Sequence, residues 1–291
     1  MKIKALIATL LIASSPFGMQ QAAHADRVDQ MISPSFHVVN FEDPRSISDL
    51  RFIYLYHEID DQFVTQGGNA QLYALQVRYA IDDRWSIIAT KDGYIDFNPK
   101  AGLNKNTGFA DLEAGVKYVF FQDRDAGQVA SFQLRYLIPT GEKEVLQGNG
   151  DGMVHPSVSA AYGLCNNTTI TAGTGLRVPV NSDDSFFWDA DVQVDYRIDT
   201  SYGAWYPLVG ASLIHVVDGG KRLPIADEGQ DLFNFGAADA GGESMVLGAA
   251  GLRYRPADAV DGGVTYQFPF DSQKGTRIID SRWMFDVSYR F

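Results

Sequence analysis

From Trp188 to Ile198 every second residue is apolar or aromatic, and the intervening positions hold Asp189, Asp191, Gln193, Asp195 and Arg197. A strand sends alternate side chains to opposite faces, so this order makes a ribbon with one apolar and one charged side. A helix, which repeats every 3.6 residues, would mix the two sets around its circumference. The design recurs. Tyr73, Leu75, Val77 and Tyr79 alternate with Gln76 and Arg78, and Phe132, Leu134 and Tyr136 with Ser131, Gln133 and Arg135. At the C-terminus Trp283, Phe285, Val287, Tyr289 and Phe291 alternate with Arg282, Asp286, Ser288 and Arg290.

Twelve segments follow this rule, with expected limits at 48–60, 69–82, 84–95, 108–122, 127–139, 152–164, 167–180, 184–198, 203–217, 242–255, 257–269 and 279–291. Bacterial outer-membrane barrels take even strand numbers. The connections after segments 2, 4, 6, 8 and 10 are short, among them Asp82-Asp83, Cys165-Asn166 and a turn at Pro256. Most of the others are long and polar: 98–107, 140–151 and 217–241, with the short 181–183 as the exception. Short turns at one end and long loops at the other describe a transmembrane barrel with periplasmic termini. Aromatic residues fall into two girdles under this threading, Tyr79, Trp85, Tyr118, Tyr162, Tyr196, Trp205, Tyr254 and Tyr289 near the short turns, and Tyr94, Tyr136, Phe187, Tyr266 and Trp283 at the other end. A secreted soluble β-sandwich also alternates, with the apolar face buried and the charged face outward; the number of strands, the asymmetric connections and the C-terminal Phe291 on an alternating aromatic strand disfavour it.

Residues 1–25 read as an export signal: Lys2 and Lys4, an apolar stretch from Ala5 to Ala13, then Ala23-His24-Ala25 as a small-x-small cleavage site. Beyond it no run of 18 apolar residues is present, so strands alone can cross a membrane. The fold expected is all-β, a transmembrane up-and-down antiparallel β-barrel of about twelve strands at 48–291, after the cleaved signal and a periplasmic segment at 26–47. That segment, with its Phe41-Glu42-Asp43-Pro44-Arg45 cluster, is a candidate plug; the long stretch from Val217 to Gly241, which holds Leu232, Phe233 and Phe235, could insert too, though a mobile extracellular loop is its ordinary reading.

With the apolar set facing lipid, the charged set lines the interior. The lumen candidates are Arg78, Asp111, Glu113, Lys117, Arg135, His155, Arg177, Asp189, Asp191, Asp195, Arg197, Arg253, Arg255, Asp286 and Arg290. Both signs occur, so the set makes either a closed network of neutralising pairs or a wet, charge-lined passage. Twenty-four Lys and Arg against 36 Asp and Glu, a net charge of -12, argue against a nucleic-acid partner. The single Cys165 permits no internal disulfide and stands apart from any metal motif. Asn149-Gly150-Asp151 and Asp183-Asp184 lack the ligand spacing of a cation loop, and solvated loop charge is their default reading. No cofactor or metal is expected.

His155-Pro156-Ser157, with Asn166 and Asn167, resembles the His, Ser and Asn set of outer-membrane phospholipase A, also a twelve-stranded barrel, though that family's surrounding motif is absent. Alternation turns His155 and Ser157 inward, which favours lumen hydrogen bonding over lipase chemistry. A second resemblance covers about 90 residues from Leu72 to Leu164. Tyr79-Ala80-Ile81-Asp82-Asp83-Arg84-Trp85-Ser86, the run from Thr107 to Tyr118, and Leu137-Ile138-Pro139-Thr140-Gly141-Glu142 resemble the outer-membrane barrels of the phenol-degradation meta-pathway family. The resemblance implies a Gram-negative outer-membrane transporter for small apolar or aromatic solutes; a closed structural or adhesion barrel is the alternative. The partners expected are outer-membrane lipid, the barrel assembly machinery and the solute, and Tyr289 and Phe291 resemble a barrel assembly signal.

Overall fold

A computed structural model describes residues 27–270 and 278–291; the expected signal peptide and residue 26 lie outside the described residues. Fifteen strands form one sheet: β1 (Asp49–Ile59), β2 (Gly68–Ala80), β3 (Trp85–Lys91), β4 (Tyr94–Pro99), β5 (Asn106–Phe109), β6 (Leu112–Asp123), β7 (Gln128–Ile138), β8 (Met153–Gly163), β9 (Thr168–Pro179), β10 (Phe186–Tyr196), β11 (Ile198–Thr200), β12 (Gly203–Asp218), β13 (Ser244–Ala257), β14 (Val260–Pro269) and β15 (Ser281–Arg290). Three pairs, β3/β4, β5/β6 and β10/β11, are each one stave interrupted by one or two residues, so fifteen elements make twelve staves. Each stave pairs antiparallel with its sequence neighbour, and β1 pairs with both β2 and β15, which closes the sheet. Closure satisfies every edge, the condition for a sheet to cross a bilayer.

The interruptions have local causes. At Gly93 a φ of 121° takes the chain out of strand geometry, and a side chain there would press on the Tyr73 carbonyl, so only glycine fits; the Asp92 carboxylate accepts the Leu75 N–H at 2.9 Å in place of a ladder partner. At Ala110-Asp111 the chain turns to tie down a loop: Asp111 Oδ1 accepts from the N–H groups of Gly141 (2.9 Å) and Gly148 (2.8 Å).

The two faces are inverted relative to a soluble protein. Phe52, Ile87, Val116, Phe132, Val209 and Phe285 stand 41–59% exposed on the outside, whereas Arg51, Arg78, Arg135, Arg253 and Arg282 are at most 2% exposed within. A sandwich in water would reverse these numbers, so the apolar belt is the lipid-facing surface. Its girdles are built from cross-strand partners: Trp85 lies opposite Tyr118 with ring centres 4.6 Å apart, Trp205 opposite Tyr254 at 4.3 Å, and Tyr266 opposite Trp283 at 4.7 Å. Phe187 departs from the girdle expected of it. It is fully buried, with the Arg177 guanidinium 4.0 Å above its ring, because its neighbour Trp188 takes the outward position. The turn expected at Pro256 falls two residues later, at Asp258-Ala259, since β13 continues through Ala257.

Candidate functional site

Two segments occupy the lumen from opposite ends. Residues 27–47 enter from the short-turn end, where Val28 and Met31 pack on Val119, Val129 and Ala161. Ile32, Phe36 and Phe41 then cover Tyr206 and Leu208, and Val38 reaches Ile53, Leu55, Ala74 and Met284 near mid-barrel. The chain reverses at His37, whose φ of 48° lets its carbonyl accept from Asn40 (3.0 Å) and Phe41 (2.8 Å). At this apex His37 Nδ1 meets Asp191 Oδ1 at 2.8 Å, and Ser212 donates to the same oxygen.

On its return the segment meets the basic residues of the wall. Glu42 lies between Arg78 (2.7 Å) and Lys117 (2.9 Å), and Lys117 also donates to the Asp43 carbonyl. Asp43 is held by Arg45 at 2.6 Å. Burial alone would raise the Glu42 carboxyl, but Arg78 and Lys117 outweigh it and lower the group to about 2. Wall side chains also bond the inserted backbone: Arg51 donates to the Pro34 carbonyl (2.8 Å), Gln76 to that of Val38 (2.8 Å) and Arg135 to that of Val39. An inserted polar chain in a closed lumen needs such partners for its peptide groups, because no ladder supplies them.

From the long-loop end, residues 219–243 fold inward rather than standing free as a mobile loop. Glu228, fully buried, organises the loop by accepting from Ser185 Oγ (2.6 Å) and the N–H groups of Phe235 (2.6 Å), Gly229 (2.8 Å) and Ala237 (3.0 Å). Asp231 pairs with Arg282 at 2.6 Å, and Arg177 and Gln147 donate to the carbonyls of Gln230 and Leu232. Phe233 sets its edge against Phe97, and Phe235 stacks on Phe63. The apolar residues Leu232, Phe233 and Phe235 therefore pay part of the cost of drawing the loop into the mouth.

Between the two inserted segments lies a cavity of about 70 Å³. Val38 and Val39 form its floor, Leu232 and Phe233 its roof, and Ile53, Leu55, Ala70, Leu72, Ala74, Ile95 and Met284 much of its wall. Polar groups stand at its margin, and one of them, the buried Gln267 Nε2, has no hydrogen-bond partner among the described residues. A smaller space of about 40 Å³ beside it is lined by Lys91, Asp111, Glu113, Arg177 and Asp231.

Of the residues singled out from the sequence, Arg78, Asp111, Glu113, Lys117, Arg135, His155, Arg177, Asp189, Asp191, Asp195, Arg253, Arg255 and Asp286 are buried inside the barrel, and Arg197 and Arg290 are half-buried at the short-turn rim. They form several clusters rather than one site: Arg177 with Asp189 (2.7 Å), Arg135 with Glu113 (2.9 Å), and Arg253 with Asp286 (2.5 Å) and Asp261 (2.7 Å). Asp111 serves its loop, with Lys91 3.9 Å away. Tyr289 and Phe291 point outward, 52% and 61% exposed. Asp184, in the loop expected to be solvated, pairs with Arg222. The sequence reading passed over Arg51, His57, Lys91, Asp231, Asp261 and Gln267. Alternation on β1 marks Arg51 and His57 as inward, but nothing local marks Asp231. The hydrolase geometry is absent: His155 Nε2 meets Arg135 at 2.9 Å, while Ser157 Oγ donates to Gln133 at 3.0 Å and makes no hydrogen bond to His155.

Residues 50–290 match the protein family described as "Putative MetA-pathway of phenol degradation". Among solved structures the chain is similar to the COG4313 outer membrane channel from Pseudomonas putida F1, with a TM-score of 0.60 and 13% identity over 90% of this chain and all of that one. It is also similar to the NanC porin, with a TM-score of 0.53 and 11% identity over 84% of this chain and all of that one. At these identities the likeness is one of fold. No curated relative matches the chain.

Proposed function

The chain belongs to the MetA-pathway phenol-degradation family, and on that premise we propose that it is a channel of the Gram-negative outer membrane whose lumen takes up a small apolar or aromatic solute. The observation that carries the reading is the apolar cavity between the two inserted segments. Barrel interiors are ordinarily polar, and a patch of Ile53, Leu55, Leu72, Ala74, Ile95 and Met284 facing inward calls for an apolar occupant. The unpartnered Gln267 Nε2 supplies N–H donors at one point of the wall, which suits a solute carrying a hydroxyl or carbonyl oxygen. At about 70 Å³ the cavity is smaller than a benzene-sized void, so loading requires Leu232 and Phe233, or the inserted N-terminal segment, to move.

Uptake of a radiolabelled phenol or alkylbenzene is measured in cells with and without the protein, beside single-channel conductance of the refolded chain. Faster uptake with the protein supports the reading, and equal uptake sinks it. A second reading, a closed structural or adhesion barrel, draws on the ion pairs that fill the short-turn half of the lumen. Steady conductance that rises when residues 223–239 are deleted would remove it.

A further inference from the structure

We propose that the short-turn mouth of the barrel holds a second binding site, specific for a small organic carboxylate. A cleft of about 730 Å³ opens there between the inserted segment, the β11–β12 turn and the ends of β13 and β15, and four guanidinium groups line it: Arg45, Arg197, Arg255 and Arg290. Its carboxylates, Asp29, Asp199 and Asp258, stand on the exposed rim.

The corner of the inner wall formed by Arg255 and Arg290 is short of negative charge. Asp261 is shared by three cations, Arg253 at 2.7 Å, Arg290 at 3.0 Å and Arg255 at 3.3 Å. Arg253 has Asp286 as well, at 2.5 Å. Arg255, with its side chain 7% exposed, otherwise donates only to neutral groups: the carbonyls of Asp29, Gln30 and Met31, and the Tyr206 hydroxyl. The Nε atoms of Arg255 and Arg290 have no hydrogen-bond partner among the described residues. Asp195, another carboxylate at this end, bonds Gln193 and lines a separate pocket behind Met31. Arg45 has its own carboxylate in Asp43 at 2.6 Å and Arg197 has Asp199 at 2.7 Å, so the shortfall falls on Arg255 and Arg290. These two guanidinium groups, buried with a share of one counter-charge, favour an incoming anion, and their fork suits a carboxylate.

The cleft also selects for an apolar body. The Tyr206 ring lies 5.3 Å beneath the Arg255 guanidinium, and Ile47, Ala204, Pro256 and Ala257 complete an apolar side. Inorganic phosphate would leave that surface wet, whereas a carboxylate on a compact hydrocarbon covers it. The site lies at the opposite end from the lumen cavity and stands whether or not the barrel conducts.

Calorimetric titration of the refolded full chain with benzoate tests the assignment, with benzyl alcohol and inorganic phosphate as separate titrants. We expect saturable benzoate binding, none with benzyl alcohol, and affinity at least tenfold lower in Arg290→Gln, whose folding is checked by heat-modifiable gel mobility. Arg197→Gln, at the half-exposed rim, gives a several-fold loss and decides the matter should Arg290→Gln fail to fold. Absence of saturable benzoate binding, phosphate binding as tight as benzoate, or benzoate affinity unchanged in the folded variants overturns the proposal.

Discussion

The two halves of the lumen are filled in opposite ways. The short-turn half is a lattice of charge in which Glu42, Asp43, Asp261 and Asp286 meet Arg45, Arg51, Arg78, Lys117 and Arg253 at hydrogen-bonding distance. The long-loop half is filled mainly by side-chain packing around Phe63, Phe97, Phe187, Phe233 and Phe235, with the separate pairs Asp231–Arg282, Asp189–Arg177 and Asp184–Arg222 at its margin. Charge pairs demand fixed geometry, since a displaced partner leaves an uncompensated buried ion. Apolar contacts are non-directional and tolerate rearrangement. The first half therefore anchors, and the second can yield to a solute.

Breaking the anchor carries the largest effect. Glu42→Ala leaves Arg78 and Lys117 facing each other without their shared carboxylate, and should cost about 3 kcal/mol, read from the denaturant midpoint of the refolded barrel. An unchanged midpoint would mean that water or Asp49 compensates, and that the two halves differ less than their contacts imply. Releasing the other end tests adaptability. Arg282→Ala removes the Asp231 tie and the donors to His57 Nδ1, so proteolytic cleavage within 219–243 should speed up several-fold while residues 27–47 stay protected. Equal exposure of both segments would argue that they move as one.

A finer change sharpens the contrast within the cavity. Gln267→Leu removes the unpartnered amide and should weaken binding of a phenol by about 1 kcal/mol while leaving the matching alkylbenzene unaffected or tighter. The smallest effect is expected from pH. Burial, with Asp227 and Glu228 nearby, raises the Glu243 carboxyl to about 7. A carboxyl raised above its ordinary value favours the docked loop when protonated, so this contribution is full below about 4.5 and is lost as pH rises through about 7. Amide exchange of 219–243, corrected for intrinsic rate, should be faster at pH 8 than at pH 5. Glu243→Gln should flatten the difference.

How much was legible follows from the range over which each feature is encoded. Alternation is a property of neighbours, so it located the twelve staves and put Arg78, Arg135, Asp189 and Asp286 on the opposite face from Phe132, Trp188 and Phe285. It failed where an apolar residue sits on the inward face: Ile53, Leu55 and Phe187 look like lipid-facing residues one by one, and only their register places them inside. Nor does any local pattern reveal that Glu42 serves Arg78 and Lys117, 36 and 75 positions away.

The sequence by itself thus determined an all-β chain of amphipathic staves with short turns at one end, because a period of two needs nothing but covalent geometry. The tertiary structure decided the rest. Closure of β1 on β15 set which inward charges face one another, and the space left over determined how residues 27–47 and 219–243 fill the lumen. Those outcomes depend on distances across a closed barrel, which a one-dimensional pattern does not carry.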